Sequence, residues 1–320
     1  MGSAREAKAP SAVLVRLAAP RGFCAGVERA VRTVEEALAA FGPPVFVRHE
    51  IVHNAHVVNR LKAMGAVFIE DLASVAPGRP VIFSAHGAPR AAYDDANARA
   101  LMAIDATCPL VLKVHNEVRR HVAQGRHVVL IGHRGHPETI GIIGQAAVGT
   151  VTLIETVADA ETIAPPAALL AYATQTTLSV DDAAAIIAAL KRRFPAIEGP
   201  RRSDICYATQ NRQEAVKLIA PGADVVFVVG SPQSSNSLRL VETAHAAGAG
   251  AALLVDDPSN FDLSIFDGAK IIGVTSGASV PEDLVEALLM RLAERTAIRI
   301  ETVEHAREET VFKQPLPMAS

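Results

Sequence analysis

The sequence has no tryptophan, and only 4% of its 320 residues are aromatic. No stretch approaches the roughly 18 consecutive apolar residues that a membrane-spanning helix needs. Lys and Arg are scattered and the formal net charge is −3, so no basic patch for nucleic acid is evident. Residues 1–10 lack the apolar core of a secretory signal peptide. We therefore expect a cytoplasmic protein with no membrane insertion and no nucleic-acid partner.

Cysteine is also scarce, with only Cys24, Cys108 and Cys206 in the whole chain. An odd number of widely separated cysteines does not suggest a disulfide framework, which favours a reducing compartment. The chain also lacks a Gly-x-Gly-x-x-Gly sequence at a predicted strand-to-helix turn, so neither a nicotinamide nor a flavin fingerprint is present. Any redox chemistry would then require an external electron donor.

Half of the residues are apolar, and short β-branched runs alternate with helical patterns along the chain. This alternation predicts an α/β fold with mainly parallel sheets. The predicted strands are 13–17, 45–48, 67–69, 81–84, 101–104, 128–132, 151–154, 169–173, 225–230, 251–255, 270–274 and 298–302.

All three cysteines occupy the same kind of junction, because each lies directly before the start of a predicted helix. The start of a helix stabilises a thiolate, the form that binds metals. A lone free cysteine is more often a small buried apolar residue. Three cysteines in equivalent positions favour a shared role.

A repeat becomes visible when polar loops are counted from each cysteine. His53 lies 29 residues after Cys24, whereas His136 and Ser234 lie 28 residues after Cys108 and Cys206. A second polar loop follows in each third of the chain, at His86, Thr176 and Ser279. The repeat predicts a trefoil of three similar α/β units around a central site.

The predicted units span residues 13–107, 108–205 and 206–312. Residues 1–12 are predicted to be a disordered N-terminal extension, and the tail beyond residue 312 carries no functional signal. Because ligands of open α/β sheets bind beyond the carboxyl ends of the strands, the loops of the three units should face one centre. Three thiolates without a fourth cysteine suggest a metal centre with one open position, and both zinc and iron–sulfur fit that pattern.

The polar loops predict a pocket of hydrogen-bonding groups suited to phosphate oxygens. Each residue also has a simpler explanation, because a histidine can satisfy local backbone groups and a serine cluster can be a helix N-cap. The candidate binding residues are His53, His86, His136, Thr176, Ser234, Ser235, Asn236 and Ser279.

Glu138 follows His136 in the first turn of a predicted helix. A glutamate at that position often only complements the helix dipole. Its functional alternative is general-acid catalysis, with the Thr176 hydroxyl positioning the carboxyl group or the substrate. The catalytic candidates are therefore Glu138 and Thr176.

Several segments together resemble the 4-hydroxy-3-methylbut-2-enyl diphosphate reductases, the IspH or LytB family. The resemblance extends from about residue 13 to residue 312. The segments that carry it are 21–27, 48–54, 84–87, 105–111, 132–138, 174–179, 204–214 and 234–237.

The resemblance implies a trefoil around one 4Fe-4S cluster held by Cys24, Cys108 and Cys206, with the fourth iron open to substrate. It implies reductive dehydration of the hydroxylated allylic diphosphate to isopentenyl and dimethylallyl diphosphates, with ferredoxin or flavodoxin as electron donor. It also assigns diphosphate binding to the histidine, serine and asparagine candidates, proton donation to Glu138 and substrate orientation to Thr176. Two alternatives stay open, a three-cysteine zinc hydrolase and a non-enzymatic iron–sulfur or diphosphate-binding protein.

Overall fold

The computed structural model of the protein describes residues 12–315. The predicted N-terminal extension therefore lies outside the described residues, apart from Ala12. None of the helices in this range combines the length and apolar composition that crossing a membrane requires.

Twelve strands and ten α-helices make up the described part of the chain, with one short 3-10 helix at Leu263–Phe266. The strands are β1 (Val13–Ala19), β2 (Val45–Arg48), β3 (Ala66–Ile69), β4 (Pro80–Phe83), β5 (Met102–Asp105), β6 (His127–Ile131), β7 (Val151–Ile154), β8 (Leu170–Thr174), β9 (Val225–Val229), β10 (Ala252–Val255), β11 (Ile271–Ser276) and β12 (Ile298–Glu304). The helices are α1 (Ala25–Phe41), α2 (Ala55–Ala63), α3 (Arg90–Ala98), α4 (Pro109–Ala123), α5 (Pro137–Ile143), α6 (Val157–Thr162), α7 (Val180–Arg193), α8 (Tyr207–Ile219), α9 (Ser235–Ala246) and α10 (Glu282–Arg295).

The strands form three sheets, and the strand pairs that build them are parallel, as predicted. The first sheet has the order β3-β2-β4-β5, the second β7-β6-β8 and the third β10-β9-β11-β1-β12. Strands β4, β6, β8 and β9 are buried along their whole length. Continuous apolar runs are typical of parallel strands that are covered on both faces.

Strand β1 pairs with strands from the other end of the chain. Val13 lies opposite Ile298 of β12, and Leu14 lies opposite Ile271 of β11. The N-terminal strand, which the sequence places in the first unit, is thus part of the third sheet. The hydrophobic pattern of a strand identifies its buried faces but not its partners.

Each cysteine lies where the chain passes from one sheet to the next. Cys24 separates β1 of the third sheet from α1, which packs on β2 and β4 of the first sheet. Cys108 follows β5 of the first sheet and precedes α4, which packs on β6 and β8 of the second. Cys206 follows the second sheet and precedes α8, which packs on β1 and β12 of the third. The three crossovers form a closed ring, so the cysteine turns meet at its centre.

Candidate active site

One cavity at the centre of this ring collects the predicted functional residues of all three repeats. All twelve of them line it, namely Cys24, His53, His86, Cys108, His136, Glu138, Thr176, Cys206, Ser234, Ser235, Asn236 and Ser279. The structure therefore brings the whole predicted set together. The role of each residue stays a prediction.

The three cysteines are the N-cap residues of α1, α4 and α8, as their junctions predicted. Gly26, in the first turn of α1, lets two of these turns approach each other. A Cβ atom at Gly26 would lie 2.6 Å from Sγ of Cys108 and 3.9 Å from Sγ of Cys24. Because contacts below 3 Å are essentially absent between such atoms, only glycine accommodates the Cys108 sulfur here.

Burial changes the acidity of Cys108 and Cys206 in the direction opposite to the expectation from the helix starts. Burial, together with the neighbouring Cys24, raises the pKa of Cys108 to about 12 and that of Cys206 to about 11. The backbone N–H of Thr209 donates to Cys206 Sγ at 3.4 Å, but this contact is too weak to offset burial. Neighbouring buried thiols become thiolates together only when a cation compensates their charge. The donor set therefore fits a cationic inorganic centre.

The spacing of potential ligands bears on which centre this is. Within residues 12–315, no three His, Cys, Asp or Glu side chains converge closely enough to hold one metal ion. A single zinc ion held by three cysteines would need such convergence. An iron–sulfur cluster can take each thiolate on a different iron, so its ligands need not meet at one atom. The identity of the centre stays a prediction.

Three histidine rings form one wall of the cavity. The rings of His53 and His86 stack with centroids 4.2 Å apart, and His136 approaches them edge-on at 5.4 and 5.8 Å. Burial, reinforced by His53, lowers the pKa of His86 well below its ordinary value and that of His136 to about 3. His86 and His136 are therefore uncharged at neutral pH in the absence of an anion.

Several polar atoms of the cavity have no partner among the described residues. They are Nε2 of His53 and both amide atoms of Asn236, all of them buried. Nδ1 of His136 accepts the backbone N–H of Glu138 at 3.1 Å, which leaves the opposite ring nitrogen, Nε2, free to donate. Unpaired buried polar groups cost free energy, so the cavity is suited to a polar ligand that can form hydrogen bonds with them.

Two glycines allow the loop that carries Asn236 to pack closely against the loop that carries Ser279. A Cβ atom at Gly230 or Gly277 would lie 2.3 or 2.1 Å from Oγ of Ser237. The absence of side chains allows the start of α9 to sit directly on the ends of β9 and β11. Ser234 caps this helix, as the simpler reading predicted, by accepting the N–H of Ser237 at 3.3 Å.

Glu138 is 2% exposed and hydrogen-bonded to Thr176. Burial raises the pKa of its carboxyl group to about 7, although both hydrogen bonds from Thr176 act in the opposite direction. A carboxyl group with this pKa holds a proton at neutral pH and can still release it. The cavity therefore contains, near the Cys206 thiol, a carboxyl group that can exchange a proton at neutral pH, and its role as a general acid stays a prediction.

The third residue after each cysteine was not among the predicted site residues. These residues, Val27, Val111 and Thr209, all line the cavity. The third position of a helix lies beside its N-cap, so extending the count from each cysteine would have identified them. The two valines provide an apolar wall, whereas the Thr209 hydroxyl lies 3.2 Å from Cys206 Sγ.

Comparisons with known proteins agree with this geometry. The sequence model of the LytB protein family matches residues 15–293. The 4-hydroxy-3-methylbut-2-enyl diphosphate reductase of Hyphomonas neptunium is 56% identical over 306 residues, covering 95% of this chain and 97% of that protein. The equivalent reductase of Phenylobacterium zucineum is 55% identical over the same shares of the two chains.

A solved structure shows the same fold. The E-1-hydroxy-2-methyl-but-2-enyl-4-diphosphate reductase of Plasmodium falciparum matches with a TM-score of 0.91 and 39% identity, over 96% of both chains. The predicted trefoil architecture and the predicted family resemblance are both confirmed. This chain belongs to the LytB family.

Proposed function

We propose that this protein catalyses the reductive dehydration of (E)-4-hydroxy-3-methylbut-2-enyl diphosphate to isopentenyl and dimethylallyl diphosphates. This is the last step of the methylerythritol phosphate route to isoprenoids. The observation that carries the proposal is one cavity in which three cysteine thiols, a protonatable carboxyl group and unpaired polar atoms meet. The reaction consumes two electrons and two protons, breaks the allylic C–O bond and releases the oxygen as water.

Cys24, Cys108 and Cys206 would hold one 4Fe-4S cluster, with one iron left without a protein ligand. When bound, such a cluster supplies electrons one at a time and a Lewis acid for the substrate hydroxyl. An external ferredoxin or flavodoxin would supply the electrons. Free thiols persist in a reducing compartment, which is consistent with a cytoplasmic reaction.

The diphosphate would lie between the histidine wall and the start of α9. Nε2 of His53 and the Asn236 amide are the unpaired groups there, and Ser234, Ser235 and Ser279 add hydroxyls around the same cavity. His86 would gain a proton when the anion binds, because a nearby negative charge favours imidazolium, whereas neutral His136 would donate from Nε2. The diphosphate would thus be held by hydrogen bonds and by charge that its own binding creates.

The remaining residues would act on the allylic part of the substrate. Thr176 would orient the substrate hydroxyl, and Glu138 would deliver protons through the same hydrogen-bonded pair. Val27 and Val111 would pack against the carbon chain and exclude water from it. Protonation of an allyl anion at either end would produce the two isomeric products.

The test is a turnover assay on protein purified without oxygen. Dithionite-reduced viologen and the hydroxylated diphosphate should yield both C5 diphosphates, which are isomers and are therefore separated by chromatography before detection by mass spectrometry. A cluster-loaded sample that binds the diphosphate but forms neither product would support a non-enzymatic binding protein and refute the proposed reaction.

A further inference from the structure

The last described residues, 305–315, form an extended segment after β12 that we call the C-terminal strap. Its first contact is with the end of β1, where the backbone N–H of His305 donates to the carbonyl of Ala19 at 2.8 Å. The strap then reaches two buried arginines, Arg212 on α8 and Arg29 on α1. The sequence pattern assigned no function to its last residues.

Arg212 connects the Cys206 helix to the Cys24 turn. Its side chain is fully buried, and it donates to the carbonyl of Gly22 at 2.8 Å and to that of Ala208 at 2.9 Å. Glu308 of the strap balances its charge, with carboxylate oxygens 3.0 and 3.2 Å from the guanidinium group. Asn211 donates to the same carboxylate at 3.1 Å.

Arg29 connects the Cys24 helix to the Cys108 turn. Its guanidinium group donates to the carbonyls of Thr107 at 3.0 Å and Asp105 at 3.3 Å, directly before Cys108. The third donor of this guanidinium group, Nε, faces the strap and donates to the carbonyl of Lys313 at 2.7 Å. Gln314 adds a contact with Thr33 on the next turn of α1, at 3.1 Å.

The two arginines thus join the Cys24 turn to both other cysteine turns, and the strap supplies an acceptor to each of them. Without the strap, Arg212 would keep a buried charge with no carboxylate, which is strongly unfavourable. Arg29 would lose the acceptor of one buried N–H group. Both losses fall on groups that set the spacing of the cysteine turns.

We propose that the C-terminal strap is a positioning element, which fixes the three cysteine turns through Arg29 and Arg212 so that the inorganic centre is retained. This inference rests on the proposed function, because it concerns the cluster that the cysteines would hold. Residues that support metal ligands from outside the coordination shell typically contribute about 10- to 100-fold in metal affinity.

The test compares anaerobically purified variants by the rate at which a ferrous chelator removes their iron. Ending the chain after His305 removes the strap, whereas ending it after Pro315 keeps every described contact and serves as the control. Glu308→Gln removes the balancing charge with little change of shape, and Glu309→Gln is its exposed neighbour control. We expect iron loss to be about 10- to 100-fold faster without the strap, intermediate in Glu308→Gln and unchanged in both controls.

Thermal unfolding separates positioning from general stability. If the strap were merely structural, its removal would lower the unfolding midpoints of the apoprotein and the loaded protein by the same amount. That result would overturn the inference. If the strap positions the cysteine turns, its removal should reduce the difference between the two midpoints, and Glu308→Gln should also change the electron paramagnetic resonance signal of the reduced cluster.

The outcomes also separate this inference from the proposed function. In one outcome, the full chain carries its cluster and the shortened and Glu308→Gln variants lose iron at the same rate as the full chain. That result would refute only the role of the strap. A full chain that carries neither iron nor sulfide would refute the proposed function and this inference with it.

Discussion

Thr176 contacts both carboxyl oxygens of Glu138, and the two contacts are chemically different. The backbone N–H of Thr176 donates to Oε1 at 2.6 Å, and its hydroxyl pairs with Oε2 at 3.0 Å. An amide N–H can only donate, so a proton on Glu138 is placed on Oε2, where the hydroxyl can accept it. The proton would then leave through Thr176 or directly from Oε2 into the cavity.

Replacement of Glu138 by Gln tests the proton-delivery role. Glutamine keeps the size and polarity of the side chain but cannot release a proton at neutral pH. We expect kcat to fall by on the order of 100-fold or more, within the usual range for a general acid, with near-normal iron content. Steady-state kinetics and iron analysis measure both quantities. Turnover close to that of the unmodified protein would indicate that Glu138 only complements the helix dipole.

The pH dependence of kcat follows from the same carboxyl group. Burial raises the pKa of Glu138 to about 7, so the proton-bearing form predominates below that pH and is lost above it. We expect kcat to be level on the acidic side and to fall by up to about tenfold per pH unit above pH 7. The profile should be measured at saturating substrate with chemically supplied electrons. If the residual activity of Glu138→Gln shows the same decline, another group is responsible for it.

Diphosphate binding should be accompanied by proton uptake. His86 has a lowered pKa in the free protein, and a bound anion stabilises its charged form. Titration calorimetry with inorganic diphosphate, in two buffers of different ionisation enthalpy at pH 7, measures the protons taken up. His86→Asn should reduce the uptake, whereas the exposed His245→Asn should not. Apparent binding enthalpies that are equal in both buffers would contradict this picture.

Gly26→Ala tests the close approach of the cysteine turns. The new methyl group would lie 2.6 Å from Cys108 Sγ, so the sulfur has to move. Alanine is more favourable than glycine in a helix by about 1 kcal/mol, so helix formation should not suffer. We expect less iron per chain with an intact far-ultraviolet circular dichroism spectrum. Glu28 is exposed and lies in the same helical turn, so Glu28→Ala should keep a normal iron content. A normal iron content in Gly26→Ala would show that the cysteine turns are not tightly packed.

Local features of the fold could be predicted from the sequence because they depend on neighbouring residues. The strands lie within two residues of their predicted bounds, and Cys24, Cys108 and Cys206 cap helices as expected. Counting from each cysteine also identified loops that reach the same cavity. These predictions are correct because the hydrophobic pattern of a strand and the cap of a helix depend only on residues close in sequence.

Features that depend on distant contacts could not be predicted. The pairing of β1 with β11 and β12 requires the far end of the chain, and the boundaries of the three units stay a prediction. The helix start of Cys206 predicted a stabilised thiolate, but burial next to Cys24 raises its pKa instead. The contacts of Glu308 and Lys313 with Arg212 and Arg29 are equally non-local, so a polar tail could not be distinguished from a strap.

The most direct test of this account is the iron and acid-labile sulfide content of the protein purified without oxygen, combined with its Mössbauer spectrum. We expect one 4Fe-4S cluster per chain with one iron site distinct from the other three, and a lower cluster content when Cys24, Cys108 or Cys206 is changed individually to Ser. A colourless protein with stoichiometric zinc, or a fully loaded cluster in all three serine variants, would contradict it.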